Sequence, residues 1–244
     1  MNIALFSDLH FEWHRDFGCS FIDSMDPTGV DVLVLAGDVD SADHLSETLP
    51  AICKKYPEVV FVAGNHEHYS DTGANMEQVK GQLHRAAKGI PNLHWLEGSS
   101  VEIDGVRFVG ATLWFPEPPP KARKKAYPDF QFVPGCEPWV YNEHAAAARF
   151  LASELRSSDV LVTHFYPLRI SATPEFYGHP LNCFFYGGED TEEIIRKVRP
   201  RLVLHGHTHV VVDRLYAPGC RVVCNPFGYM HELTGFDNHK VISV

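Results

Sequence analysis

Short apolar runs, each cut off by acids, amides or imidazoles, recur along the chain. Ile3-Ala4-Leu5-Phe6 stops at Ser7-Asp8-Leu9-His10, and Val30-Asp31-Val32-Leu33-Val34-Leu35-Ala36 stops at Gly37-Asp38. Val59-Val60-Phe61-Val62 ends in Ala63-Gly64-Asn65-His66-Glu67-His68-Tyr69, Val160-Leu161-Val162-Thr163 ends in His164, and Leu202-Val203-Leu204 ends in His205-Gly206-His207-Thr208-His209. Runs this short, partly β-branched and bounded by Gly or Pro, predict interior strands. Between them, Leu45, Leu49, Ile52 and Cys53 stand near helical spacing, which predicts a helix over 41–56 with Ser41 as N-cap and Pro50 as an irregularity. A second helix is predicted over 74–88. Strand, helix and strand at intervals of roughly 30 residues match βαβ units, whose right-handed winding brings successive strand ends to one edge of a sheet. Asp8, Asp38 and Asn65 are therefore expected to converge, at the edge where α/β sheets form their sites.

The texture changes after residue 100. Residues 100–114 predict a hairpin turning at Asp104-Gly105, a dipeptide suited to a type I′ turn, and mark a change from βα repeats to antiparallel strands. From Phe115 to Trp139 no packed element is evident. Pro116-Glu117-Pro118-Pro119-Pro120 precedes Lys121-Ala122-Arg123-Lys124-Lys125, then Tyr127, Phe130 and Phe132. The stretch is either a solvated excursion with a polyproline start or a cap whose Lys and Arg side chains meet an anionic substrate. A helix over about 141–156 follows. A long loop carries Arg169, Phe176, Tyr177, His179, Phe184, Phe185 and Tyr186 to a short helix near 191–198. Strands near 210–216 and 221–224 turn at Pro218-Gly219. Neither a solenoid repeat nor an interdomain linker is visible, so residues 1–244 read as a single domain.

The 244 residues are 45% hydrophobic and 21% charged, ordinary values for a folded globular chain. A formal net charge of −10 opposes loose attraction to nucleic acid or to anionic membrane surfaces. Six cysteines with no C-x-x-C pair read as reduced thiols. Met1-Asn2 runs straight into the first strand with no basic or long apolar leader, and no apolar stretch is long enough to span a bilayer. A cytoplasmic location is expected.

The strand ends carry the chemistry. A lone D-x-H pair is a capped turn as readily as a ligand pair. Three imidazoles within five residues after a strand, with acids, an amide and further imidazoles at four other strand ends, shift the reading to a metal site. Carboxylate, imidazole and amide donors without cysteine favour Mn²⁺, Fe²⁺ or Zn²⁺. The five strand ends present Asp8, His10, Asp38, Asn65, His66, His164, His207 and His209, and seven protein ligands would be too many for one structural zinc, which takes four. Two divalent ions sharing a carboxylate fit them better, and such a pair can clamp the attacking and leaving oxygens of a phosphoryl transfer.

The blocks Asp8-Leu9-His10, Gly37-Asp38, Gly64-Asn65-His66-Glu67, His164 and Gly206-His207-Thr208-His209 follow the order D-x-H, G-D, G-N-H-[DE], H and G-H-x-H. In this the chain resembles the calcineurin-like metallophosphoesterase superfamily. The resemblance implies an α/β fold, a four-layer α/β/β/α sandwich of two mixed β-sheets flanked by helices. It implies that Asp8, His10 and His209 hold one ion, that Asn65, His164 and His207 hold the other, and that Asp38 bridges them. It makes His66 the residue that contacts the phosphate and protonates the leaving oxygen, with a metal-activated bridging hydroxide as attacker. His205 matches no ligand and is expected in the core. Asp40 and Glu67 either keep His66 cationic or are ordinary loop acids.

A phosphohydrolase of small phosphoesters follows. Phosphoprotein phosphatases of the superfamily carry G-D-x-x-D-R-G, whereas Gly37-Asp38 here runs into Val39-Asp40-Ser41-Ala42-Asp43. The missing arginine favours a phosphodiester, whose single charge needs less compensation. Arg15, Arg169 and Tyr69 are candidate substrate contacts, and Lys121 to Lys125 could supply further charge. Trp13, Trp114, Phe165, Tyr166 and Tyr229 either stack on substrate or pack. A nuclease on the same centre is opposed by the acidic balance, and a non-catalytic binding scaffold by the complete ligand set.

Overall fold

The computed structural model describes every residue except 121, 123, 174, 175 and 177, and the side chain of 126. Its first half alternates strands β1 (Asn2–Phe6), β2 (Val32–Ala36), β3 (Glu58–Val62) and β4 (Leu93–Trp95) with helices α1 (Cys19–Ser24), α2 (Leu45–Cys53) and α3 (Met76–Ala87). The second half contains strands β5 (Ser99–Ile103), β6 (Val106–Ala111), β7 (Val160–Thr163), β8 (Leu202–His205), β9 (Val212–Ala217), β10 (Cys220–Cys224) and β11 (Val241–Ser243). Its helices are α4 (Asp129–Phe132), α5 (Cys136–Glu154) and α6 (Gly188–Val198).

Two mixed sheets result, one of five strands in the order β11-β1-β2-β3-β4 and one of six in the order β5-β6-β7-β8-β10-β9. Side chains alternate across each strand. Ile3, Leu5, Val32, Val34, Val60 and Val62 meet Phe108, Val160, Val162, Leu202 and Leu204 between the sheets. The alternate residues Phe6, Leu33, Leu35, Val59 and Phe61 pack with Ile22 of α1, Leu49 of α2 and Val79 of α3. On the far side, Val109, Leu161 and Val203 meet Leu151 of α5 and Ile195 of α6. Strands buried on both faces must be apolar at every position, which is why the runs are continuous rather than alternating. The four-layer α/β/β/α sandwich expected from the sequence is the observed fold.

The expected change to antiparallel strands holds only at the edges. β6, β7, β8 and β10 are parallel, with β5 and β9 antiparallel beside them. The reason is the connections: α5 and α6 give β6-to-β7 and β7-to-β8 the length a parallel crossover needs. The hairpin at Asp104-Gly105 is present, with both residues at positive φ (47° and 77°). Ser41 does not cap α2, which starts at Leu45 behind His44, and Pro50 lies inside the helix.

The excursion after Phe115 also differs from a solvated loop. Trp114, Phe115, Tyr127, Val133, Cys136, Val140, Phe165 and Phe184 form an aromatic-rich core of their own. Their spacing has no regular period because most come from turns, so the packing was not visible in the pattern. Among the described residues, no helix is long and apolar enough to cross a membrane.

Candidate metal centre

Parallel pairing fixes where the polar strand ends lie. Beyond the last strand residues, the Asp8, His10 and Phe11 N–H groups donate to the carbonyls of Gly37, Asp38 and Val39, each at 3.0 Å, so the first two loops leave the sheet together. The backbone there is left-handed at Asp8 (φ 55°), His10 (48°), Asp38 (54°), His207 (68°) and His209 (48°). Such a conformation costs on the order of 1–3 kcal/mol per non-glycine residue and is kept where the surroundings over-determine it, typically at functional sites. Five of the seven donors proposed from sequence share it. Close approach is the second constraint: a Cβ on Gly37 would lie 2.4 Å from His164 Nδ1, and one on Gly64 2.2 Å from Asp38 Oδ1. Only glycine lets the three loops meet.

The Asp38 carboxylate has one oxygen held and one presented, whereas both oxygens of Asp8 accept hydrogen bonds. Asp38 Oδ1 accepts the His66 N–H at 2.9 Å, leaving Oδ2 3.3 Å from His164 Nε2 and 3.9 Å from His10 Nε2. Asp8 accepts the His207 N–H at 2.9 Å and lies 3.4 Å from His209 Nε2. Three of the four donor imidazoles are held by their other nitrogen, His207 being the exception. His164 Nδ1 donates to the Ala36 carbonyl (2.9 Å), His209 Nδ1 to Glu232 (2.6 Å) and His10 Nδ1 to Glu12 (3.2 Å). This is the outer arrangement that orients metal-binding histidines.

The donors sort into Asp8, His10 and His209 on one side and Asp38, His164 and His207 on the other, with donor atoms in each group within 4.8 Å of one another. Asn65 Oδ1 joins the second group, 3.1 Å from His164 Nε2. A third grouping of His10, Asp38 and His66 also meets the same distance limit, so proximity alone does not separate His66 from the donors. The fit to a cation is tested at His164. Its Nδ1 proton is committed to Ala36, so in the neutral ring Nε2 is a lone pair aimed among Asp38 Oδ2, Asn65 Oδ1 and His207 Nδ1 (3.1 Å). Acceptors converging in this way suit a divalent ion of borderline or hard character.

The charges agree. Burial opposes ionisation of Asp8, but the His209 hydrogen bond and charge hold its carboxyl down at about 2. Asp38 is likewise well below the usual range: burial raises it, and the charges of His164 and His66 more than reverse that. Burial disfavours the charged forms of His164 and His209, yet the Asp38 carboxylate holds the first, and the Asp8 carboxylate the second, up at about 9. A cation taken up here displaces those protons, so metal affinity rises with pH until they are gone.

His66 stands slightly apart. Its Nδ1 donates to Glu12 at 2.7 Å, and its ring stacks on Tyr69 with centroids 4.4 Å apart. Burial pushes the imidazolium down, but the Asp38 charge and the Glu12 hydrogen bond outweigh it, holding His66 at about 9. Asp40 and Glu67 do not perform this task. Glu67 accepts the N–H groups of Asp38, Val39 and Gly64 at 2.9, 2.7 and 2.5 Å, while Asp40 accepts from Thr48 and Ser41. Glu12, Glu232 and Asp129 are the neighbours that sequence reasoning missed. Glu12 had one signal, its place two residues after His10.

Beside the two groups of donors lies a cleft of about 470 Å³. Tyr69, Tyr229 and Trp13 line it, whereas Trp114, Phe165 and Tyr166 are buried. No lysine or arginine lines it among the described residues. Arg15 is exposed on the turn before α1. Arg169 pairs with Glu189 and lies over the Tyr186 ring in a different cavity. Lys124 pairs with Glu137, and Lys125 is exposed. Lys121, Arg123 and Tyr177 lie outside the described residues. His205 is buried, with Nδ1 donating to the Gly206 carbonyl at 2.9 Å.

A family model described as calcineurin-like phosphoesterase matches residues 1–211. An uncharacterized protein of Acanthamoeba polyphaga mimivirus is 23% identical over 270 residues, covering 98% of this chain and 95% of that protein. The fold is similar to that of phosphopantetheinyl hydrolase from Mycobacterium tuberculosis, with a TM-score of 0.75 at 21% identity over 93% of this chain and 89% of that one.

Proposed function

This chain belongs to the calcineurin-like phosphoesterase family, and from that premise we propose that it hydrolyses small phosphodiesters with the help of two divalent cations. One observation supports the substrate class above all. The cleft has aromatic walls and two further carboxylates, Asp129 and Glu232, with no lysine or arginine among its described residues. A phosphomonoester carries about −1.5 to −2 charges near neutrality, and a diester carries one. The second charge would face acids rather than an arginine. Aromatic faces suit uncharged, flat or apolar arms.

In this reading Asp8, His10 and His209 hold one ion, Asn65, His164 and His207 hold the other, and Asp38 serves both. Bound divalent ions of this kind neutralise phosphate charge and lower the pKa of water. The chain's own contribution is orientation and one proton. With Nδ1 tied to Glu12, His66 presents Nε2 to the cleft beside the Tyr229 hydroxyl at 3.5 Å. That Nε2 proton is the one available to a departing oxygen. Once cations take up the charge of Asp38, part of the upward push on His66 is lost and the ring moves toward the range where a general acid is effective.

Protein reconstituted with Mn²⁺ should show a kcat/KM for bis-p-nitrophenyl phosphate at least about tenfold above that for p-nitrophenyl phosphate, a gap of about 1.4 kcal/mol in transition-state stabilisation. A phosphopantetheinyl ester belongs in the same panel, because a phosphopantetheinyl hydrolase shares the fold. A clear preference for the monoester would overturn the diester reading.

A further inference from the structure

The excursion between β6 and α5 brings a buried carboxylate to the metal centre. Asp129, at the start of α4, is 2% exposed in the wall of the cleft. Its Oδ1 accepts the Tyr69 hydroxyl at 2.6 Å and faces Asn65 Nδ2 at 3.4 Å. Neighbouring residues Tyr127, Val133 and Cys136 belong to the aromatic core described above, which anchors the segment.

The contact with Asn65 has a consequence that follows from amide chemistry. An amide can present either its oxygen or its NH₂ group to a given partner, and surrounding hydrogen bonds decide which. With Nδ2 facing Asp129, Oδ1 is directed at His164 Nε2, 3.1 Å away. Turned over, the amide would set its oxygen against a carboxylate and its NH₂ group against the place where a cation would bind. Asp129 therefore favours the ligating orientation. The same oxygen holds the hydroxyl of Tyr69, whose ring stacks on His66 at an interplanar angle of 26°.

We infer that Asp129 is a positioning residue: it fixes Asn65 as an oxygen donor toward His164 and His207, and through Tyr69 it steadies the ring of His66. The inference rests on the two-cation reading. It also gives the excursion a role different from that of a basic cap, since it brings an acceptor to the centre.

The test is metal binding, measured on the full chain by equilibrium dialysis against Mn²⁺ with elemental analysis. Losing an outer partner of a ligand typically costs about 10- to 100-fold in metal affinity. Asp129→Ala should weaken one ion by that factor and leave the other unchanged, and Asn65→Ala should weaken the same ion at least as much. Asp129→Asn should stay close to wild type, because a neutral amide oxygen can still accept from Asn65 and Tyr69. Should Asp129→Ala fail to fold, Asp129→Leu removes the acceptor while filling its space among aromatic neighbours, and is read in the same way. Wild-type affinity for both ions in Asp129→Ala or Asp129→Leu would overturn the inference. Loss in Asp129→Asn equal to that in Asp129→Ala would overturn it as well, since charge alone would then be acting. Fewer than two ions in the wild type would instead overturn the two-cation reading itself, before any variant is compared.

Discussion

Asp38→Asn should nearly abolish turnover and weaken both ions together, each by more than the roughly 100-fold that marks the loss of an outer partner. The expectation comes from where its oxygens go. Oδ1 is tied to the His66 N–H, and Oδ2 stands between His164 and His10, which belong to different donor groups. An amide at this position keeps the size and one acceptor but brings no charge. Two cations would then sit close together with less anionic density between them, and Coulomb repulsion grows as that screening is lost. The variant also removes the charge that holds His66 and His164 in their cationic forms. Elemental analysis after dialysis, together with kcat on a diester, checks both parts. Two ions per chain with a rate near wild type would remove Asp38 from its shared position.

His66→Ala should keep both ions and lose activity selectively. If His66 protonates the departing oxygen, the loss falls on substrates whose leaving group needs that proton. An alkyl alkoxide is a strong base and leaves poorly without it, whereas p-nitrophenolate leaves unaided. General acid catalysis is typically worth about 10² to 10⁴-fold, so alkyl diesters should lose activity in that range and p-nitrophenyl esters clearly less. The geometry behind this is the Glu12 hydrogen bond at 2.7 Å, which occupies Nδ1 and leaves Nε2 toward the cleft. Both substrates are best compared in one preparation with its metal content measured. An equal loss on both would assign His66 to phosphate positioning. A lost ion would make it a ligand, an outcome the His10, Asp38 and His66 grouping keeps in play.

Much of this arrangement was legible in the chain because burial on both faces leaves a plain mark. Val32 to Ala36 and Val59 to Val62 are apolar without alternation, and the first polar residues after them, Asp38 and Asn65, mark the sheet edge. Parallel pairing then brings those residues together without further information. What was not legible lies in contacts that no period encodes. Glu12, Asp129 and Glu232 are single acids outside any sequence period, Asp129 opening the short helix α4, and only the folded chain reveals that they face His66, Asn65 and His209. Short edge elements escaped for a related reason. β11 is three residues long and pairs with β1 from the far end of the chain. The aromatic core around Phe115 and Tyr127 is built from turns, so its sequence resembled an unpacked excursion.

Hydrolysis is proposed to require two cations, held by these two donor groups. A single titration tests it most directly: chelator-stripped protein receives Mn²⁺ in steps while bound metal per chain and diester hydrolysis are followed together, at pH 6 and at pH 8. No turnover is expected without metal, full activity only as binding approaches two ions per chain, and tighter binding at pH 8, where fewer protons on His164 and His209 compete. Full turnover in stripped protein, or activity that saturates at one bound ion, would contradict the two-cation requirement.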